Sequence, residues 1–537
     1  MYWDPDTVSD PLDAPLLRNL LAERFAALRD ERALHMGARW YTYGELGEHV
    51  GRTANALADA GARRGMRVGV MLPNGPEFVF AWLGLAILNV TMVPVNVHLV
   101  GEGLSDIIHG ARLDILVTDS ERLKQARHVC NPSEPAPRVL VHGIGGADSF
   151  DRCLSRAATT LPMGTPASMS DDALIGYTSG TTGPSKGVIL SRLAQFWHGA
   201  NYYRDFVRLG PGQCGYTPLP LFHVSAQGFV LGCFLGGAAV VIDRTFNPFT
   251  FWHTIREHRA ESFNYVGAMI SMLWRRPSRN DDWDNPAVRA VGSATPPELH
   301  EAFEQRFGLQ LIETYGQTEL AGLWLTDPPA GREIGRVGVP CRWMDAKVER
   351  DDGTTASPGE TGEIALRSHH PLLMTTGYFG NEAATAHAFR GGWYHTGDAG
   401  EQDTAGSIRF VGRLKDFIRR RGENISAFEI ERAAQSHAAI REAAAVAVPS
   451  SLGEDEILLA VIPEENERIS ERELHAHLEP RLATFMRPRY IQIREEFPRT
   501  PTQRVQKYRM RDEWLQSEHR PIEGQAQANT KQARAFR

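Results

Sequence analysis

Tyr177-Thr178-Ser179-Gly180-Thr181-Thr182-Gly183-Pro184-Ser185-Lys186-Gly187-Val188 follows a short apolar run at 173–177 that is bounded by turn formers, a strand signal. Five serine and threonine hydroxyls, three glycines and one lysine in so few positions suit a loop that wraps phosphate. Glycines let backbone N–H groups approach an anion, hydroxyls donate hydrogen bonds, and Lys186 brings a mobile charge. The loop is not of the Walker A type, where the lysine precedes Ser or Thr at the start of a helix; here Gly187 follows Lys186. The same composition describes a solvent-exposed turn, and the loop by itself leaves both readings open.

Outward from the loop, 537 residues exceed what one hydrophobic core usually serves, so two or three domains are expected. A chain that is 42% hydrophobic and 23% charged fits a globular protein, and its formal charge of −7 argues against a nucleic-acid surface. The five cysteines lie far apart without metal-site or redox spacing, which points to a reducing compartment. The N-terminus carries neither a basic nor an apolar segment, and the longest nearly apolar run, 78–90, is too short to span a bilayer. The expectation is a soluble, cytoplasmic protein with no membrane span.

Thr42 and Glu45 have capping-box spacing, and Leu46, Val50, Ala54, Leu57 and Ala58 then recur on one helical face. Strands at 66–72, 92–96, 114–118 and 138–142 alternate with helices at 76–88 and 120–130. Past the loop, a helix over 190–205 leads to the rigid Pro218-Leu219-Pro220-Leu221-Phe222-His223. Helices at 226–235 and 249–258 then alternate with strands at 239–243 and 262–266. Strands at 289–292 and 309–314 end in the polar stretches Ser293-Ala294-Thr295 and Tyr315-Gly316-Gln317-Thr318-Glu319. This alternation calls for mainly parallel sheets covered on both faces, with ligands at the carboxyl ends of the strands. From about 335 frequent turns mark a β-rich portion, and the last hundred ordered residues read as a compact α+β unit. The expected fold is α/β and α+β multidomain. A large N-terminal domain, residues 1–411, has layered, mainly parallel sheets and a small β-rich part at 335–411, and a small α+β domain at 416–516 follows. The polar tail, 517–537, reads as disordered, and Arg419, Arg420 and Arg421 as a solvated face.

After the loop come Glu313-Thr314-Tyr315-Gly316-Gln317-Thr318-Glu319, Tyr394-His395-Thr396-Gly397-Asp398 and Gly412-Arg413-Leu414-Lys415-Asp416. With these motifs in this order, residues 15–515 resemble the adenylate-forming superfamily: acyl-CoA synthetases, luciferase-like enzymes and carrier-protein adenylation domains. Pro220-Leu221-Phe222-His223 and Arg421-Gly422-Glu423-Asn424-Ile425-Ser426 are similar to the acyl- and aryl-CoA ligases. Pro498-Arg499-Thr500-Pro501-Thr502, continuing to Val505-Gln506-Lys507, leans toward the crotonobetaine/carnitine-CoA ligase group. The resemblance implies an ATP-dependent acid–CoA ligase. A carboxylate attacks the α-phosphorus of ATP, pyrophosphate leaves, and an acyl-adenylate forms. A mobile C-terminal domain then rotates about a hinge at 412–415, and the thiol of coenzyme A displaces AMP. Such chemistry needs Mg2+ and cationic or N–H donors on the departing pyrophosphate, and exclusion of water from the mixed anhydride.

By the same resemblance, Thr178, Ser179, Gly180, Thr181, Thr182, Gly183 and Lys186 surround the β- and γ-phosphates, and Glu319 beside Thr318 holds magnesium. Tyr315 stacks on adenine, with Gly292, Ser293, Ala294, Glu313, Thr314 and Gly316 completing the nucleotide site. Asp398 accepts from the ribose hydroxyls and Arg413 contacts ribose and phosphate, a structural Asp–Arg pair being the competing reading. The acid is walled by Phe222, His223, Gln227, Val266, Gly267, Gly316, Ala321 and Gly322, with His223 orienting its carboxylate. Lys415 matches the hinge, and Arg421, Gly422, Glu423 and Asn424 match the thiol channel, where the family commonly has two glycines. One position departs from the pattern: the family's Gly-Lys before Val505 is Gln503-Arg504 here. Arginine is not interchangeable with lysine at a tight site. Either Arg504 serves as the adenylation cation, or Lys507 replaces it, or adenylation is impaired; the register favours Arg504. A small to medium organic acid is expected, carnitine or crotonobetaine being one candidate because Phe222 and Trp324 can face a quaternary ammonium. The alternatives are an enzyme that hands its acyl group to a carrier-protein phosphopantetheine or an amine, and a nucleotide-binding protein without the chemistry. A homodimer is left open.

Overall fold

The computed structural model describes residues 5–129, 136–162, 167–178, 185–321, 324–326, 332–420, 423–449, 455–500 and 504–517, the side chains at 102, 415, 417, 419, 423, 424 and 485 excepted. The described chain packs into two compact units, one comprising 5–178, 185–346 and 366–393, the other 347–365 and 394–517.

In the first unit, Thr42 opens the helix Tyr43–Asp59 with the reciprocal cap its spacing announces. Its hydroxyl accepts from Glu45 N–H at 3.2 Å, and the Glu45 carboxylate accepts from Thr42 N–H at 2.9 Å. Arg67–Met71, Thr91–Pro94 and Ile115–Asp119 are almost continuously buried, as strands covered on both faces must be. They belong to a sheet ordered Gly377–Tyr378, Lys186–Ser191, Asp172–Thr178, Thr91–Pro94, Arg67–Met71, Ile115–Asp119, Arg138–His142. It is parallel from Asp172–Thr178 onward and antiparallel at the other end. A second sheet runs Val339–Pro340, Leu325–Thr326, Gln310–Tyr315, Arg289–Ser293, Ser262–Val266, Cys214–Thr217, Ala239–Ile242, Arg32–Met36, Arg39–Thr42. Its six central strands are parallel, and short antiparallel strands close both edges.

The small β-rich portion is a sheet ordered Met344–Glu349, Thr361–Ser368, Trp393–Gln402, Phe389–Arg390, with Ile408–Arg413 paired to Trp393–Gln402. The C-terminal part of the second unit is α+β. Its sheet, Ile440–Pro449, Asp455–Pro463 and Tyr490–Ile493, buries Ala443, Ala445, Ile457, Leu459 and Val461 against helices Ala427–Gln435 and Glu471–Leu478. The alternate residues Ala444, Val446, Leu458, Ala460 and Ile462 pack on Met510 and Trp514. Period-two alternation thus builds two cores from one sheet.

Two expectations change, and one helix is new. Residues 186–191 form a strand, so the helix expected from 190 starts at Arg192, because Val188, Ile189 and Leu190 pair with Asp172–Thr178 and the Ser191 hydroxyl caps the helix Arg192–Asn201. The helix Lys507–Leu515 went unread although Met510 and Trp514, four apart, mark its buried face. Arg420 is not part of a solvated face: it is buried, with its guanidinium 2.7 Å from the equally buried Glu456 carboxylate.

Candidate active site

The segment expected to hold phosphate joins the strands of the hairpin Asp172–Thr178/Lys186–Ser191, whose last paired residues are Thr178 and Lys186. Ser179, Gly180, Thr181, Thr182 and Gly183 lie outside the described residues. Lys186 is exposed, with its ammonium 5.0 Å above the Tyr378 ring. Tyr378, in a short strand paired to Lys186–Ser191, donates its hydroxyl to Glu319 Oε1 at 3.0 Å. Glu319 is buried in the 3-10 turn Thr318–Leu320, which is pinned by the Thr375 N–H donating to the Glu319 carbonyl at 2.7 Å. Thr318 lies against Gly176, where an added Cβ would stand 3.0 Å from the threonine methyl. One connected group therefore joins the cation, the carboxylate and the hairpin base. Tyr378 was missed in the sequence; its only trace there is Gly377-Tyr378-Phe379-Gly380, an aromatic pair between turn formers.

This arrangement suits magnesium bound through nucleotide phosphates. A single buried carboxylate oriented by a phenol is a hard ligand, and among the described residues no group of three or more His, Cys, Asp or Glu forms a cage. Magnesium usually takes one or two carboxylates and fills the remaining positions with phosphate oxygens and water.

Tyr315 ends the strand Gln310–Tyr315 and is buried, with its hydroxyl accepting from Gln317 Nε2 at 3.3 Å. Gly316 is exposed, with open space where a Cβ would be. Thr314 donates to the Gly292 carbonyl at 2.9 Å. Glu313 turns toward the core, where the Thr295 N–H lies 3.3 Å from both its oxygens and Tyr265 OH 3.4 Å from Oε2. Burial raises its pKa, with the Thr295 bonds acting against the rise. Glu313 and Thr314 thus brace the loop that carries Ser293 and Ala294. Ala294 has φ +61°, a left-handed conformation unusual for alanine.

On the acid side, His223 is exposed at the N-cap of the helix Val224–Gly236, its ring 4.6 Å from half-buried Phe222. Gln227, one turn on, is buried and donates to the Leu221 carbonyl at 2.8 Å, which fastens the helix to the Pro220-Leu221-Phe222-His223 loop. Val266 is exposed, and Gly267 opens the helix Gly267–Trp274 hard against Ala294. Ala321 closes the turn after Glu319 with φ +48°; Gly322 lies outside the described residues. Trp324 is buried in a ring cluster with Phe206 at 4.7 Å and Tyr202 at 5.2 Å.

The remaining candidates lie in the second unit. Asp398 and Arg413 face each other across paired strands, Arg413 Nε 3.1 Å from Asp398 Oδ1. Glu363, also unread in the sequence, accepts from Gly397 N–H at 2.9 Å and bonds His395 Nδ1 at 2.9 Å, so it shapes the turn that presents Asp398. Arg504 is exposed, its N–H donating to Thr500 Oγ1 at 3.1 Å. Lys507 sits with Nζ 2.6 Å from Glu431 and 3.8 Å from Asp416. Lys415 lies in the turn Leu414–Asp416, and Glu423 and Asn424 in the strand Glu423–Ser426; their side chains are outside the description, as are Arg421 and Gly422 entirely.

Residues 21–379 match the AMP-binding enzyme family, and 429–504 match the AMP-binding enzyme C-terminal domain. A crotonobetaine/carnitine–CoA ligase of Escherichia coli is 31% identical over 478 residues, covering 86% of this chain and 90% of that protein. That of Salmonella paratyphi B is 31% identical over 476 residues, 86% and 91%. Among solved structures, o-succinylbenzoate CoA synthetase of Bacillus subtilis in complex with ATP and a magnesium ion is 25% identical, with a TM-score of 0.79 over 91% of this chain and 98% of that one. An anthranilate CoA ligase in complex with anthranoyl-AMP shares the fold at 23% identity, with a TM-score of 0.85 over 94% and 98%. The chain belongs to the AMP-binding enzyme family, within the adenylate-forming acid–CoA ligases.

Proposed function

We propose that this chain, an ATP-dependent acid–CoA ligase, activates a small to medium organic acid as its adenylate and passes the acyl group to the thiol of coenzyme A. The observation that carries this reading is the connected group Lys186, Tyr378, Glu319 and Thr318 at the base of the phosphate loop. Pyrophosphate leaves only if its growing charge is neutralised, and a cation beside a hard carboxylate is the equipment for it. Glu319 would hold magnesium, which when bound shields the departing phosphates. Lys186 and Thr318 bind phosphate oxygens, Tyr378 keeps the Glu319 carboxylate aimed, and Tyr315 stacks on adenine. Asp398 accepts from the ribose hydroxyls, and Arg413 orients Asp398 and meets the nucleotide. His223 orients the acid; it is no base, because a carboxylate nucleophile has no proton to lose. Arg504 supplies the C-terminal cation for adenylation, since Lys507 is already committed to Glu431 and Asp416.

The kinship with crotonobetaine/carnitine–CoA ligases makes those acids members of the first panel to try. Acid-dependent pyrophosphate release, with AMP formation and thiol loss tracking it when coenzyme A is the only acceptor, is the expected result. Adenylate formation without thiol loss would transfer the reading to a carrier-protein or amine acceptor. A preference confined to long fatty acids would refute the small pocket.

A further inference from the structure

The loop Pro218-Leu219-Pro220-Leu221-Phe222-His223 follows the strand Cys214–Thr217, and two of its residues, Pro218 and Pro220, have no N–H to donate. Such a loop cannot satisfy its own backbone by pairing, so its remaining polar groups need partners from outside. The Leu221 carbonyl has Gln227. The Leu219 carbonyl and the Leu221 N–H are both taken by one side chain, that of Asn74. Asn74 Nδ2 donates to the Leu219 oxygen at 2.9 Å, and Asn74 Oδ1 accepts from the Leu221 N–H at 2.8 Å. The same Nδ2 donates to the Asp243 carbonyl at 2.9 Å.

These partners fix the orientation of the amide. A carbonyl oxygen only accepts and a backbone N–H only donates, so the NH2 faces Leu219 and Asp243 and the oxygen faces Leu221. Asn74 itself follows the strand Arg67–Met71 of the first sheet, in the turn that opens the helix Pro76–Leu88. Leu219 and Leu221 follow Cys214–Thr217, and Asp243 follows Ala239–Ile242, adjacent parallel strands of the second sheet. One partly buried asparagine therefore fastens a strand end of one sheet to two strand ends of the other, next to Phe222 and His223. The backbone that receives it is itself held. Leu221 is fully buried, the Asp243 N–H donates to the Thr217 carbonyl at 3.2 Å, and the Asp243 carboxylate accepts from the Tyr216 hydroxyl at 2.7 Å.

We propose that Asn74 is a positioning residue for the acid: by holding Leu219 and Leu221 it fixes where Phe222 and His223 stand. The proposal rests on the reading that Phe222 and His223 wall the acid pocket. Residues that meet a ligand keep their geometry only when hydrogen bonds behind them hold their backbone and rotamers, and here that support comes from a separate sheet. Cut the support and the wall drifts, losing part of its contact with the acid. The Asn74 side chain bonds Leu219, Leu221 and Asp243, and none of these belongs to the proposed nucleotide site. ATP binding should therefore be spared.

Asn74→Ala removes all three bonds, whereas Asn74→Asp keeps the size of the side chain but replaces the donor with an oxygen facing two carbonyls. Kinetics are taken with the acid of the panel that the wild type uses best. In both variants KM for that acid should rise about tenfold, the scale of one hydrogen bond, and KM for ATP should stay within about twofold. Equal rises in both KM values contradict the proposal. So does an Asn74→Asp enzyme with wild-type kinetics, because the donated bonds would then place nothing. Phe222→Ala, assayed in parallel, separates two failures. If it raises KM for the acid and Asn74→Ala does not, Asn74 positions nothing and the pocket reading stands. If neither does, the pocket reading falls and the proposal falls with it. Hydrogen exchange of the full chain gives a readout that needs no substrate. Within 218–223 only Leu219, Leu221, Phe222 and His223 carry a backbone amide, and that of Leu221 should exchange slowly in the wild type and about tenfold faster in Asn74→Ala. An unchanged rate in the variant overturns the bridge. Should Asn74→Ala fail to fold, Asn74→Asp carries the comparison of KM values, and an unprotected Leu221 amide in the wild type still overturns the proposal.

Discussion

Lys507 is engaged by carboxylates of its own unit. Its ammonium lies within 2.6 Å of Glu431, a largely buried carboxylate, and both side chains belong to the second unit. Burial raises the Glu431 pKa, and Lys507 is the largest influence opposing that rise. Lys507→Ala should therefore destabilise the protein by about 2 kcal/mol, below the full range for a broken buried pair because Lys507 is partly solvated. The pH dependence follows in sign. With Lys507 gone the native carboxyl binds its proton more readily than the unfolded chain does. The variant's stability is then fullest below the ordinary carboxylate pKa and falls as pH rises through the raised native value. Melting curves in mild acid and at neutral pH should show the deficit growing with pH. Arg504→Ala should reduce pyrophosphate formation in single turnover roughly 100-fold. If Lys507→Ala alone stops adenylation, the cation is Lys507. If Glu319 holds the metal as proposed, Glu319→Gln should abolish pyrophosphate exchange at every magnesium concentration. Tyr378→Phe, which leaves the carboxylate unaimed, should cost about tenfold and be partly rescued by added magnesium.

At the level of elements, the loop at Ser293 and Ala294, proposed to meet the nucleotide, depends on how closely two strand ends approach. A Cβ at Gly267 would lie 1.8 Å from the Ala294 carbonyl oxygen, and because that atom is backbone the clash cannot be relieved by a rotamer. The parallel register that aligns Val266 with Ser293 brings these residues together. Gly267→Ala should displace the loop at Ser293 and Ala294, raising KM for ATP more than KM for the acid and lowering stability by about 1–3 kcal/mol. Equal KM values in mutant and wild type would show that the loop is not part of the nucleotide site. The hairpin ending at Thr178 and Lys186 teaches a similar lesson. Its second strand takes in Leu190 and Ser191, where a helix is expected, because a short apolar run such as Val188-Ile189-Leu190 has no period of its own and takes its conformation from the strand beside it.

Across the whole molecule, no helix among the described residues is long and apolar enough to cross a membrane. Asp398→Asn should raise KM for ATP while sparing thioester formation from supplied acyl-adenylate less than Arg504→Ala does, since ribose is held in both half-reactions and the cation serves only the first. The order of strands and helices and the capping box at Thr42 were legible because each depends on neighbours within one or two turns of chain. The family was legible for the same reason, since its motifs are short runs of neighbouring residues. What the sequence by itself determined is therefore the α/β alternation, the family and the set of groups available to the chemistry. Only the tertiary structure decided that Tyr378 aims Glu319, that Glu363 shapes the Asp398 turn and that Lys507 belongs to Glu431. Each of those pairings joins residues far apart in the chain, and their meeting is set by packing and burial, which leave no local periodicity to read.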